Sequence, residues 1–363
     1  PLRCRAAGAA PPGGRRGMTV SASRRAGELG RSVPGWAKAL ATGLGGAGVG
    51  YALEEWSLGR QRSRAVAKVP SLPAAVHHHL LPTDDGGRLH VVELGQGPPI
   101  VLLHGFMLSA RSWAPQLRSL SAHHRVLAVD LRGHGRSRPG EGGFGIARLA
   151  ADVAGLLEAF ELSGAVVVGH SMGGMTALTL AADHPAVTAR RVSGLALVAT
   201  SGGPMTAVPG WQALARAMGP IERAGARVLG SAASSARPSD LAWWATRAAF
   251  GRQASPEQVS ATWAMTAATP PTTVGALVEE VLSFDRHSAL AGIGVPSVVV
   301  SGTDDRLTPP WHARRLAGGL AQAELRLVPG AGHMVIVERP SALVDALDSL
   351  AARVPTGGAA ARR

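Results

Sequence analysis

The chain has 363 residues, 46% of them hydrophobic, with a formal net charge of +13 and one cysteine. That is enough apolar material for one large domain with an insertion, or for two domains, while a lone cysteine, Cys4, excludes an intrachain disulfide framework and a thiolate zinc site. The charge sits in the tails: residues 1–70 carry 12 Lys/Arg against 3 Asp/Glu and residues 353–363 carry three Arg, which leaves +1 for residues 71–352, so the folded body lacks the basic stripe of a nucleic-acid binder.

Residues 1–35 are rich in Arg, Gly, Ala and Ser and are expected not to fold on their own. The chain starts at Pro1, and Met18 is a candidate start of the natural sequence. Trp36–Trp56 follows, a Gly-rich stretch with basic flanks and a Trp at each end. Its apolar part, 39–53, is shorter than the ~20 residues that span a bilayer. Three readings compete for it: a short membrane anchor, a helix docked on the protein, or a secretory segment with a small-x-small cleavage site at Gly50 and Ala52. The chain is accordingly expected in the cytoplasm or at a membrane, with secretion left open. Gly43, Gly45 and Gly48 match a dinucleotide-binding pattern, but no strand precedes them and the acids Glu54 and Glu55 come too soon, so that reading is rejected. His77-His78-His79 alternate faces on a strand and cannot all ligate one ion; a strand edge is expected there.

From about residue 76 the pattern becomes regular. Apolar runs at 88–94, 98–105, 124–137, 165–171, 191–201, 295–305 and 323–333 alternate with helical periods at 114–122, 146–160, 172–183, 309–320 and 340–352. Continuous apolar strands separated by helices predict an α/β fold, a mostly parallel sheet covered on both faces, over residues 76–200 and 286–352. Reactive groups of such sheets gather at the carboxyl ends of the strands. Residues 201–285 break the alternation. Trp211, Trp243, Trp244, Trp263, Phe250, Met205, Met218 and Met265 lie there among Ala-rich helical segments, which predicts an inserted helical cap. The tail 353–363 is expected to stay disordered.

The chemistry concentrates around Ser171. In Gly169-His170-Ser171-Met172-Gly173 a β-branched run turns at once into a helix-forming one. Glycines two residues away on each side relieve the crowding of such a corner, and the hydroxyl is left at a helix N-terminus. A serine needs a base, and the base needs an orienting acid. His333 follows the last strand; Asp304 and Asp305 follow the one before. Two N–H donors for an oxyanion are available at Phe106 and Met172.

Together "LLHGF", "DLRGHGRS", "GHSMGG", "GTDDRLTP" and "GAGHM" resemble the α/β-hydrolase superfamily, in its capped serine esterase and lipase branch, over residues 76–352. The resemblance implies Ser171 as nucleophile, His333 as base and an acid from the 304–305 pair; the family's spacing from Gly302 to Pro309 selects Asp305, with Asp304 the alternative. It implies no metal or organic cofactor. His104 and Asp130 are expected to brace loops, His134 to be a loop residue, Asp285 to be structural where the chain returns from the cap, His170 to pack or line the pocket, and Trp113 to pack beneath the oxyanion donors. Serine at the corner argues against the aspartate-nucleophile branches, haloalkane dehalogenases and epoxide hydrolases; the only tyrosine, Tyr51, lies outside the domain.

The expected function is hydrolysis of a small lipophilic carboxylic ester through an acyl-enzyme. The alternatives are C–C bond or thioester hydrolysis, acyl transfer, and cofactor-free peroxidase or perhydrolase chemistry with the same residues. A non-catalytic binding module is the rival of another class; such modules typically lack the serine or histidine that this chain keeps.

Overall fold

In the computed structural model, residues 69–205 and 240–354 are described, all of them within the unit Gly59–Arg363. Eight strands form one sheet: β1 His77–Pro82, β2 Arg88–Leu94, β3 Pro99–Leu103, β4 Arg125–Asp130, β5 Ala165–His170, β6 Val192–Val198, β7 Ser297–Gly302 and β8 Ala323–Val328. Their order is β1-β2-β4-β3-β5-β6-β7-β8. β1 and β2 pair antiparallel, as do β2 and β4, and every later pairing is parallel. The three consecutive histidines lie on the edge strand β1, where His79 meets Glu93 across the pair at 2.9 Å.

The central strands β3 to β7 are largely apolar because both faces are covered. Val101, Leu103, Val129 and Val167 point into one buried cluster, which holds Leu149, Val153 and Leu156 of α2 (Ile146–Ala159) and Met175 and Leu178 of α3 (Met172–Asp183). Their neighbours Ile100, Leu102, Ala128 and Val168 point the other way, onto Leu117 of α1 (Ala114–Leu120) and Leu343, Leu347 and Leu350 of a C-terminal helix, Pro340–Arg353. The period of two sends alternate side chains to opposite faces.

The predicted runs are longer than the strands they contain: 124–137 holds a strand that ends at Asp130, and 98–105 one that ends at Leu103. The polar and Gly-rich ends of those runs are the loops that carry the site. A helix the pattern did not predict, α4 Pro185–Arg191, follows α3; seven residues are too few for a helical period to show. Between β6 and β7 come α5 Asp240–Arg247, α6 Pro256–Ala268 and α7 Pro271–Ser283. Ser255 and Gln258 form a reciprocal cap at the start of α6. Trp243, Phe250, Met205 and Met265 are buried, so these residues serve packing. α8 Pro310–Gly319 joins β7 to β8, and α9 Val335–Glu338 leads into α10, the helix Pro340–Arg353. The expected leader 1–35, apolar helix 36–56, tail beyond 354, and stretch 206–239 of the insertion lie outside the described residues. Among the described residues, no helix is long and apolar enough to cross a membrane.

The loop after β4 is anchored by a buried cation. Arg132 is fully buried; it donates to Asp152 of α2 through Nε (2.8 Å) and Nη2 (2.7 Å) and to Asp85 through Nη1 (2.7 Å). Removing the guanidinium leaves the buried Asp152 with Arg148 as its cation (3.1 Å) and Asp85 with Arg148 at 3.9 Å, and strips both of their bonds to Arg132. Arg132→Met is therefore expected to destabilise the fold by about 3 kcal/mol, the low end for a broken buried pair because Asp85 keeps some solvent. A urea midpoint unchanged from wild type would refute this account of the loop.

Candidate active site

Ser171 stands between β5 and α3 with φ 52° and ψ −118°, a backbone conformation that costs a non-glycine residue about 1–3 kcal/mol. Three elements hold it there. Its N–H donates to the Val198 carbonyl of β6 (2.9 Å), and its own carbonyl accepts from Thr200 Oγ1 (2.7 Å) and Gly174 N (2.8 Å). The flanking glycines are required by space: a Cβ on Gly173 would lie 2.2 Å from the Leu103 carbonyl oxygen, and one on Gly169 would lie 2.3 Å from that of Gly173. The corner closes only because backbone packs on backbone there.

Asp305 and His333 are brought together. His333 Nδ1–H donates to Asp305 Oδ2 at 3.0 Å, and both residues are buried. The other carboxylate oxygen accepts from Leu307 N (2.8 Å) and Thr308 N (2.9 Å), a local turn that fixes the acid's rotamer. Thr308 Oγ1 donates to Oδ2 at 2.8 Å and lies 3.2 Å from His333 Nδ1. Burial pushes the Asp305 carboxyl upward, but the imidazole and these donors outweigh it, so its pKa falls below the ordinary value and the group stays a carboxylate. Asp304 turns away: it is partly exposed, with Arg252 Nε at 3.9 Å. Of the two acids, the geometry pairs Asp305 with the histidine.

The serine and the histidine are linked through His170. Its ring, fully desolvated, donates from Nε2 to the His333 carbonyl at 2.9 Å, and the two rings lie 5.1 Å apart. Beyond the packing expected of it, His170 fixes the backbone of the histidine loop. Trp113, buried, presents its ring edge to His170, as expected of a packing residue. Since Nδ1 of His333 is bound to Asp305, Nε2 is the nitrogen left for chemistry.

Phe106 and Met172 border the serine. Met172 is the first residue of α3, where an N–H has no partner within the helix. A Cβ on Gly105 would come within 3.2 Å of Ser171 Cβ, so the 105–106 peptide passes beside the serine. Met107 has φ 60°, and its N–H donates to His134 Nε2 at 3.3 Å. His104 donates from Nδ1 to the Gly105 carbonyl (2.8 Å) and accepts from Leu131 N (3.0 Å). Asp130 accepts from Ala110 N (2.7 Å), Arg136 N (2.9 Å) and His90 Nδ1 (2.7 Å). These residues brace the loop, as the sequence suggested. Thr308 was not singled out from sequence; its position three residues after Asp305 was the available signal.

Fold and site together define an α/β-fold hydrolase. Residues 98–340 match the alpha/beta hydrolase fold family, to which the chain belongs. It is 33% identical over 273 residues to "Putative carbamate hydrolase RutD" of Variovorax paradoxus strain S110, covering 72% of this chain and 94% of that one. Among solved structures it is similar to a thermophilic esterase from Thermogutta terrifontis (TM-score 0.64, 26% identity, 78% of this chain and 100% of that one). The enol-lactonase from Burkholderia xenovorans LB400 is also similar (TM-score 0.58, 28% identity, 74% and 98%).

The bracing imidazoles make stability depend on pH. Burial drives His170 and His134 from 6.5 down to about 3 and His312 to about 4. The unfolded chain then binds protons that the folded one refuses, so this stability is complete above about pH 6.5 and is lost as pH falls toward the folded values. Urea midpoints are expected to fall between about pH 7 and about pH 5, with a shallower slope in His134→Asn. A flat profile in the wild type would contradict the burial of neutral rings.

Proposed function

We propose that the protein hydrolyses carboxylic esters, with Ser171 as nucleophile, His333 as general base and acid, Asp305 as the orienting acid, and the N–H groups of Phe106 and Met172 as the oxyanion site. The observation that carries this reading is the buried Asp305–His333 pair on the loops that flank a backbone-strained serine. In the first step Ser171 Oγ attacks the carbonyl carbon and its proton passes to His333 Nε2, while Asp305 steadies the imidazolium. The oxyanion gathers beside the 105–106 peptide and the start of α3, where N–H dipoles favour negative charge. The departing alcohol takes the proton from Nε2, and the acyl group stays on Ser171. Water gives a proton to His333, attacks the acyl carbon, and the acid leaves as the serine recovers its hydrogen.

The substrate class is a small acyl compound with an apolar group near the scissile bond. Phe106, half-buried on the loop whose Gly105 packs beside Ser171, favours such a group. The relatives' named activities on esters, an enol-lactone and carbamates all break an acyl bond, which suits the same machinery. The helices between β6 and β7 would then form the cap that sets the depth of the site.

A fluorophosphonate probe is expected to label the wild type and not Ser171→Ala. On p-nitrophenyl esters, Ser171→Ala and Asp305→Asn are each expected to lower kcat by about 10⁴-fold or more, whereas Asp304→Asn stays at the wild-type level. Unlabelled, inert but folded wild type would overturn the reading, and full activity in Asp305→Asn would overturn the assignment of the acid. A panel that adds thioesters, carbamates and diketones fixes which acyl bond is cut fastest.

A further inference from the structure

We propose that Glu338 is a positioning residue: its carboxylate clamps the loop that carries His333 onto residues 249–251 of the helical insertion, and this clamp sets where the imidazole stands. The inference rests on the catalytic reading of His333 above and goes beyond it. Glu338 ends α9, five residues after His333, and is buried. Its Oε1 accepts from Gly332 N at 2.9 Å and its Oε2 from Gly251 N at 2.8 Å. One donor is the residue immediately before His333; the other belongs to the segment that leaves α5.

The two loops touch backbone to backbone. A Cβ on Gly332 would lie 2.3 Å from Gly251 N, and a Cβ on Gly251 would lie 2.2 Å from the Gly330 carbonyl oxygen. Contact this close leaves no space for a side chain or a water between the strands of the crossing. His333 N and Met334 N both donate to the Ala249 carbonyl, at 2.8 and 3.2 Å. Gly332 N and Gly251 N are buried donors that need an acceptor of their own, and an N–H left unmet costs about 1–3 kcal/mol. A carboxylate can meet both, with one oxygen for each. An amide cannot, because its –NH₂ would face one of the donors.

The charge itself is not what a filler residue would carry. Burial works against ionisation of Glu338 and holds its pKa above the ordinary value, despite the two N–H donors. The cations that face it are Arg339 and Arg247; the latter donates to the carbonyls of Phe250 (3.3 Å) and Arg252 (3.1 Å). The same crossing continues outward, where Gln258 Nε2 donates to the Val337 carbonyl at 2.9 Å. His333 is thus gripped from three directions. Asp305 sets the rotation of its ring, His170 holds its carbonyl, and Glu338 fixes its N-terminal side to the insertion.

The test uses the full chain and compares Glu338→Gln with wild type in three measurements. The first is the downfield proton resonance of His333 Nδ1–H in its bond to Asp305, assigned by its loss in His333→Gln. The second is kcat and KM on a short p-nitrophenyl ester. The third is the thermal unfolding midpoint. The expected result is a cooperatively folded variant whose downfield resonance is broadened or gone. Its kcat falls by about 10²-fold, the scale of a misplacement near 1 Å, with KM within about twofold. A folded variant that keeps the resonance and the kcat of wild type would overturn the proposal and leave Glu338 a structural residue only. Should Glu338→Gln not fold, Glu338→Asp, which keeps the charge on a shorter arm, enters the same comparison with the same two outcomes. A wild type inert on every ester would refute the esterase reading, and the resonance would then decide the role of Glu338 by itself.

Discussion

The left-handed backbone at Ser171 is the constraint from which the rest of the site follows. A residue with a side chain does not rest at φ 52° and ψ −118° unless its surroundings hold it there. β6 supplies the hold through the Val198 carbonyl, the loop after it through Thr200, and α3 through Gly174. β3 supplies the wall on which Gly173 closes. A strand pairing on each side of β5 is therefore part of the chemistry: without β3 and β6 in register, the corner would relax and the hydroxyl would sink back into an ordinary helix start. Parallel pairing also brings the loops after β3, β7 and β8 to the same rim as the serine corner that follows β5.

Buried imidazoles do much of the bracing around that rim. His104 and His134 each donate from one ring nitrogen and accept at the other, and in doing so hold the 104–107 and 131–134 turns against each other. A neutral imidazole suits a dry site because it can satisfy both a backbone carbonyl and a backbone N–H without carrying charge. His170 uses one nitrogen in this way, toward the His333 carbonyl, while its Nδ1 is enclosed without a partner, 2.7 Å from where a Cβ on Gly105 would stand. Of the four rings His104, His134, His170 and His333, it is His333 that bonds a carboxylate, Asp305, while the other three bond backbone.

Much of this was legible in the sequence. The strands appeared because apolar runs of five to seven residues admit few other arrangements when helices cover both faces. The corner appeared because the glycines at 169 and 173 leave a specific mark. The separation of Asp305 from its neighbour Asp304 was legible only as a spacing; the turn that points one carboxylate inward and the other toward Arg252 depends on backbone geometry after β7. α4 was missed because seven residues without a repeating apolar face give no period to read. Glu338 and the His170 contact were missed for another reason. Each bonds to the main chain of a segment far away, Gly251 N and the His333 carbonyl, and such bonds leave no trace in composition or periodicity. Thr308 acts on the side chains of Asp305 and His333, and only its spacing from Asp305 marked it.

The chain leaves for the helices between β6 and β7 and returns from them at one point, where Arg286 N donates to the Gly202 carbonyl at 2.8 Å. Such a topology lets evolution treat the insertion as an exchangeable cassette, since its ends meet whatever its contents. The crossing at Gly251 and Gly332 limits that freedom. A transplanted cassette must bring a side-chain-free residue and an available amide to one point, or the loop that carries His333 would shift. Diversification of substrate range in this architecture is then expected to be generous along most of the insertion and sharply restricted over the few residues that cross beneath Glu338.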